Sequence, residues 1–384
     1  MREVILANAR YWLRILQAIP EGGPLPESDL RGAARAIEAG LRMPDLWDVT
    51  KSLAQALHPF MEQRGFWADW DDCLQVLTRR AQQQNDGQAE AEILLRSAAI
   101  QRQRGDLRAA GLSCRGAWRL YRRVKNPLGL VKVYSQLGDV YRLHGQFWRA
   151  ETLCRVAVAL FEGGESVREL ARAENRLGLV YFDWGRYPEA LPHLLRSETL
   201  WRQNGDRYGL AKALHNLGEL QRRSGDFEKA LVYFEQAIQD YLAADDKIHA
   251  ARISLDIGNV YLNRGDLPRA EATYIQAEVA LRRAGNSLDL AGVRLNLGMV
   301  YTRMKNWDAA DACFARALEQ WRARGDIWWE ANTLGEMGVL HLARGDQVRA
   351  KGCLNEAWQL VSGRSGARFE LLRLELAERR KLIH

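Results

Sequence analysis

A glycine recurs every 40 residues along this chain: Gly138, Gly178, Gly218, Gly258, Gly298 and Gly338 stand in LGDVY, LGLVY, LGELQ, IGNVY, LGMVY and MGVLH. Carried backwards, the same phase falls on Ala98 and His58. Seven residues after it runs a second column, Gly65, Gly105, Gly145, Gly185, Gly225, Gly265 and Gly345, broken by Lys305. Five further on comes a small-residue column from Ala110 to Ala350, with Trp70 as its exception. Seven beyond that lie Ala117, Ala157, Ser197, Ala237, Ala277, Ala317 and Ala357. Four columns in phase, with no insertion from about residue 50 to 360, mean one supersecondary unit copied in tandem.

The unit reads as helix–turn–helix. ALHNLGELQRRSG has helical spacing and ends at Gly225, which can take the left-handed conformation that closes a helix. Asp226 can cap the next helix, whose apolar or small residues Phe227, Ala230, Leu231, Phe234, Ala237 and Ile238 step by threes and fours along one face. Pro188 and Pro268 fall in the first turn of such second helices, where no N–H is needed. Gly218 and Ala230 are small because the two helices must approach closely there. Polar or glycine-bearing turns separate the units, among them Asn85-Asp86, Lys125-Asn126, Gly205-Asp206, Asp245-Asp246, Gly285-Asn286 and Gly325-Asp326.

Composition agrees with a helical, well-cored chain. Of 384 residues 47% are hydrophobic and 27% charged, with only 9 prolines, which excludes global disorder and a collagen-like chain. The net charge of +7 suits an acidic partner without singling out nucleic acid. No apolar run is long enough to cross a membrane. The N-terminal stretch is interrupted by Arg2, Glu3, Arg10 and Arg14 and lacks the apolar core of a secretory signal, so a cytoplasmic location is expected.

The repeat resembles the tetratricopeptide repeat: Leu177, Gly178, Tyr181, Gly185, Tyr187, Ala190 and Ser197 match its pattern of Leu-Gly, Tyr, turn Gly and spaced small residues. The resemblance implies an all-α, right-handed superhelical solenoid, here with long 40-residue units. About eight units are expected over 49–365, after a helical N-terminal region at 1–48 and before a C-terminal capping helix at 366–384. Helices are expected at 2–18, 29–40 and 45–63, with a linker PEGGPLPES at 20–28. The leading helix, the Asp29-Leu30-Arg31 entry, Trp47 and the turn Arg64-Gly65-Phe66-Trp67 resemble the region that joins the nucleotide-binding part to the repeat sensor in bacterial STAND-type signalling ATPases. That resemblance implies a ligand-sensing or scaffold region of a signal-transduction system. A stand-alone quorum-sensing-type peptide receptor or adaptor is the alternative.

Catalytic patterns are missing from the sequence. It has no phosphate loop of the Walker type, no G-x-G-x-x-G, no G-x-S-x-G and no H-E-x-x-H, and its seven histidines form no helical metal pair, so neither an enzyme, a cofactor nor a metal site is expected. Cys114 and Cys154 share one packing column, and Cys73, Cys313 and Cys353 the one before it, so they read as core thiols. Trp201 and Trp321 share a column with Tyr121, Phe161 and Tyr241 and read as core-filling aromatics.

The candidate site comes from the family resemblance, which implies that first helices line the concave face. The residue six before each Leu-Gly glycine gives Lys132, Arg172, Lys212 and Arg252 in successive units, whereas the same phase elsewhere gives Ser52, Glu92, Gly292 and Asn332. Neighbouring columns add Ser135, Asn175 and His215, then Asp139, Leu179, Glu219 and Asn259, then Arg142, Phe182 and Arg222. The expected partner is a protein or an acidic peptide held by charge-assisted hydrogen bonds. Nucleic acid is not expected, because no column joins basic residues to stacking aromatics. A membrane is not expected either.

Overall fold

The computed structural model describes residues 1–19, 25–64, 67–162, 166–283, 287–364 and 367–382. The first five residues of the expected linker, Gly65 and Phe66 of the expected turn, and the Gly285-Asn286 turn lie outside them. Among the described residues all regular structure is helical. The first helices are α1 (Arg2–Ala18), α2 (Glu27–Leu41), α3 (Trp47–Arg64) and α4 (Trp67–Gln83), with a 3-10 turn at Pro44–Leu46. Then follow α5 (Gly87–Gln103), α6 (Leu107–Arg123), α7 (Pro127–Leu143), α8 (Phe147–Glu162), α9 (Val167–Asp183), α10 (Tyr187–Asn204) and α11 (Arg207–Ser224). The remainder are α12 (Phe227–Ala243), α13 (Lys247–Arg264), α14 (Leu267–Arg283), α15 (Ser287–Arg303), α16 (Trp307–Arg324), α17 (Ile327–Arg344), α18 (Gln347–Ser362) and α19 (Ala367–Lys381).

The chain divides into two compact units, Met1–Ala213 with Ala243–Asp246, and Leu214–Leu242 with Lys247–His384. In the first unit, α1 to α4 share a core of Leu16, Leu30, Ile37, Leu53, Leu57, Trp70 and Leu74. Two of the exceptions in the repeat columns meet in this core. His58 stands in the glycine phase and Trp70 in the small-residue phase, and the Trp70 indole N–H donates to His58 Nδ1 at 2.9 Å. Burial pushes the His58 pKa down to about 3, so the ring is neutral and can accept that bond.

From α5 onward the helices pair as α5 with α6, α7 with α8, α9 with α10, α13 with α14, α15 with α16 and α17 with α18. The small columns are where the pair closes. A Cβ added at Gly178 would lie 2.7 Å from Leu194, and one at Gly138 would lie 2.7 Å from the Cys154 sulfur. Cys154 and Cys114 are both buried, and burial raises both thiols to about 12, which fits packing residues. Between pairs, the aromatic at the end of a second helix covers the first turn of the next helix. Tyr121 lies on Gly129 and Trp201 on Gly209, where an added Cβ would be 2.3 Å and 2.4 Å from the ring.

In the second unit the same column behaves differently. Tyr241 stacks on the His249 ring with centroids 5.1 Å apart, and Trp321 stacks on Trp329 at 5.3 Å. Rings here replace the bare backbone of Gly129 and Gly209. Among the described residues a left-handed residue recurs at the turns: Gly225 has φ +84, Gly105 +82 and Gly185 +78, and the Asp226 carboxylate accepts from the Lys229 N–H at 3.2 Å. Lys305, which interrupts the glycine column, takes φ 59 all the same, so the turn geometry holds where the glycine does not. The last helix, α19, buries Leu372 and Leu376 against Leu334 and Val361.

Candidate functional site

The second unit contains a cavity of about 650 Å³. It follows from the register of four consecutive first helices, α11, α13, α15 and α17. α13 contributes Arg252, Leu255, Asp256 and Asn259, and α15 contributes Asp289, Gly292 and Asn296. Trp329 enters from the start of α17, where it stacks on Trp321, and His249 from the start of α13, where it stacks on Tyr241. His215 of α11 completes the polar side. The walls therefore combine two stacked aromatic pairs with a group of polar side chains.

The charges in the wall are matched locally. His215 Nε2 lies 2.9 Å from Asp256 Oδ2, and Arg252 Nε lies 2.9 Å from Asp289 Oδ2. Asn259 joins the two adjacent helices to each other: its side-chain oxygen accepts from Tyr274 Oη at 2.7 Å and from Asn296 Nδ2 at 3.0 Å. Burial by itself would lower the His215 pKa. The hydrogen bond and charge of Asp256, with Glu219 nearby, outweigh burial and the repulsion of Arg252 and raise it above 6.5. Stabilisation from this pair is complete below pH 6.5 and is lost as pH rises through the raised His215 pKa. An NMR titration of His215 should give a midpoint above 6.5, and Asp256→Asn should bring it down. Equal midpoints in the two proteins would rule out the pair as the cause.

Of the residues singled out in the sequence, His215, Arg252 and Asn259 line this cavity. Glu219 and Arg222 form a two-pronged ion pair at 2.9 and 2.8 Å, which holds the Glu219 carboxyl low against the effect of its burial. The others belong to the first unit. Lys132 and Lys212 are exposed, with Lys212 4.1 Å above the Tyr208 ring. Arg172 is half-buried, 3.1 Å from Glu169 and over the Trp201 ring. Asn175 and Phe182 are half-buried, Phe182 against the Tyr187 ring. Ser135 is buried, and so is Asp139, which binds Arg176 Nε at 3.0 Å with Arg142 at 3.6 Å. Arg142 also bonds Asp183. Asp139 and Arg142 are thus engaged with each other and with neighbouring helices.

Sequence reasoning passed over Asp256 and Asn296, which share a column one residue after His215, and His249, Asp289 and Trp329, which share another. The usable signal was a change within that last column. It reads Gly129, Glu169 and Gly209 in the first unit, then His249, Asp289 and Trp329 in the second.

These features belong to a repeat protein of defined type. Within residues 169–243 and 289–360 the chain matches the tetratricopeptide repeat family model. No curated protein matches it. Among solved structures it is similar to a Rap protein complexed with Competence and Sporulation Factor, with a TM-score of 0.64 and 15% identity over 98% of this chain and 100% of that one. It is similar to a Signal Transduction ATPase with Numerous Domains from Pyrococcus horikoshii that has a tetratricopeptide repeat sensor, with a TM-score of 0.61 and 15% identity over 94% of this chain and 56% of that one. Aspartyl phosphate phosphatase F from Bacillus subtilis gives a TM-score of 0.59 and 12% identity over 88% of this chain and 95% of that one. At these identities the likeness is one of fold.

Proposed function

We propose that this chain is a protein- or peptide-binding module whose binding surface includes the cavity formed by α13, α15 and α17. The cavity carries the proposal: it is large enough for part of a peptide, and its polar side offers Asn296, Arg252 and His215 to backbone and side-chain groups. Asparagine suits a peptide backbone because its amide both donates and accepts. The likeness of fold to a Rap protein that was solved with Competence and Sporulation Factor supports the same class of ligand. The setting we favour is the sensor or scaffold region of a STAND-type signalling system, and the likeness of fold to part of the Pyrococcus horikoshii protein, which has a tetratricopeptide repeat sensor, supports it. A stand-alone peptide receptor fits the Rap-like fold equally. An open reading frame that encodes a nucleotide-binding domain with this chain would favour the first setting.

The expected acidic partner gains less from two of these cations than the charge column implied. Arg252 faces Asp289, and Arg172 faces Glu169. The test uses a displayed library of random linear peptides selected on the full chain. Synthetic copies of enriched peptides should bind at least about tenfold more weakly to Arg252→Glu and Asn296→Ala, a loss of about 1.4 kcal/mol. Unchanged binding to both variants would move the site elsewhere on the chain.

A further inference from the structure

We infer that the cavity in the second unit receives one uncharged apolar side chain of the bound peptide, aromatic or branched aliphatic, and that Gly292 opens the space for it. This rests on the peptide-binding reading above and specifies the class of partner.

Gly292 is the first argument. Its phase carries Lys132, Arg172, Lys212 and Arg252 in the four units just before it and a side chain in each of the remaining units. A glycine inside a helix is unfavourable unless something requires it. Packing does not require this one: a Cβ added at Gly292 would meet nothing within 4 Å. On the same helix, a Cβ at Gly298 would lie 2.5 Å from the Phe314 ring. One glycine of α15 is therefore demanded by its neighbour. The other faces open space, and that space is the cavity.

The walls are the second argument. Arg252 is closed by Asp289 and His215 by Asp256, so formal charge cancels pair by pair. A charged side chain entering here would have to break one of those pairs or lose its own hydration without a partner, and either is costly. The rings of His249 and Trp329, backed by the buried Tyr241 and Trp321 on which they stack, offer aromatic surface instead. Asn296 and Asn259 form a polar edge where the backbone that carries the anchor can bond. The volume of about 650 Å³ holds a large side chain with its flanking backbone.

The experiment selects the same random peptide library on the full-length protein, on Gly292→Phe and on Gly292→Ala, with circular dichroism confirming that each variant is folded. Peptides enriched on the wild type should share one position occupied by Phe, Trp, Leu or Ile. Synthetic copies should lose at least about tenfold in affinity for Gly292→Phe and less for Gly292→Ala, whose side chain fills less of the space. Changing the shared apolar residue of the peptide to Lys or Glu should cost at least as much on the wild-type protein, and that comparison does not depend on how any variant folds. A conserved charged position in place of the apolar one, or a charged replacement that binds as well, overturns the inference. If enriched peptides are weakened by Asn296→Ala and Arg252→Glu but bind Gly292→Phe as tightly as wild type, the binding surface stands and the apolar receptacle falls. If the wild type enriches no peptide, both fall.

Discussion

Gly258→Leu should unfold the hairpin of α13 and α14, at a cost of about 3 kcal/mol or more. A Cβ alone at that position would lie 2.4 Å from Cε1 of Tyr274, a ring with no exposed surface. The rest of a leucine side chain has nowhere to go unless the helices separate, and separation uncovers Ala277 and Leu281 as well. Gly292→Ala should have the opposite sign. It meets no neighbour and replaces a helical glycine with the best helix former, a gain of about 0.5–1 kcal/mol. Urea titrations of both variants, with amide exchange read separately on α13 to α16, check the pair. Local exchange matters because tandem repeats need not unfold in one step. A Gly258→Leu protein with wild-type protection in α13 would show that the hairpin contact is softer than the geometry says.

Asp139→Ala should destabilise the first unit by about 3–5 kcal/mol, the range for removing one member of a buried ion pair. Burial pushes the Asp139 pKa up, but Arg176, Arg142 and Arg102 outweigh it and hold the carboxyl below its ordinary 3.8. Without the carboxylate, Arg176 and Arg142 face each other's charge with less to offset it. The sign with pH follows. A carboxyl held low contributes stability that is present above pH 3.8 and is lost as pH falls through its lowered pKa. The gap between wild type and Asp139→Ala should therefore be full at neutral pH and narrow in acid. Thermal melts at pH 7 and pH 3 test this; an equal gap at both would mean that the carboxylate's charge plays no part.

The fate of Asp139 shows what the sequence reveals and what it hides. Its column was legible because the repeat is in phase over most of the chain, and the same phase places the hairpins, the turns and the buried thiols. Burial of polar side chains was not legible. Asp139, Glu219 and Asn259 share one column, yet Asp139 is buried against Arg176, Glu219 pairs with Arg222, and Asn259 lines the cavity. Each environment is set by residues 15 or 37 positions away or by the same helical turn, and a column of single letters does not record those partners. The aromatic column was read as core, and Tyr241 and Trp321 are buried. What it could not give was that their stacking partners, His249 and Trp329, turn part of that core into the wall of a cavity.

The lysine at position 305 bears on how such a chain can change. Its backbone keeps the turn geometry of its glycine counterparts, so the turn tolerates a different letter. Gly218, Gly258 and Gly298 do not, because a ring stands against each of them. Residues facing the cavity from α13 and α15, such as Arg252, Asp256, Gly292 and Asn296, occupy columns distinct from those glycines. Each 40-residue copy is thus written in two alphabets: a narrow one that spells the scaffold and a wide one open to change, which in α13 and α15 lines the cavity. Drift in the second leaves the first intact, so one frame can acquire new recognition by exchanging a few letters, or whole copies, without passing through an unfolded ancestor.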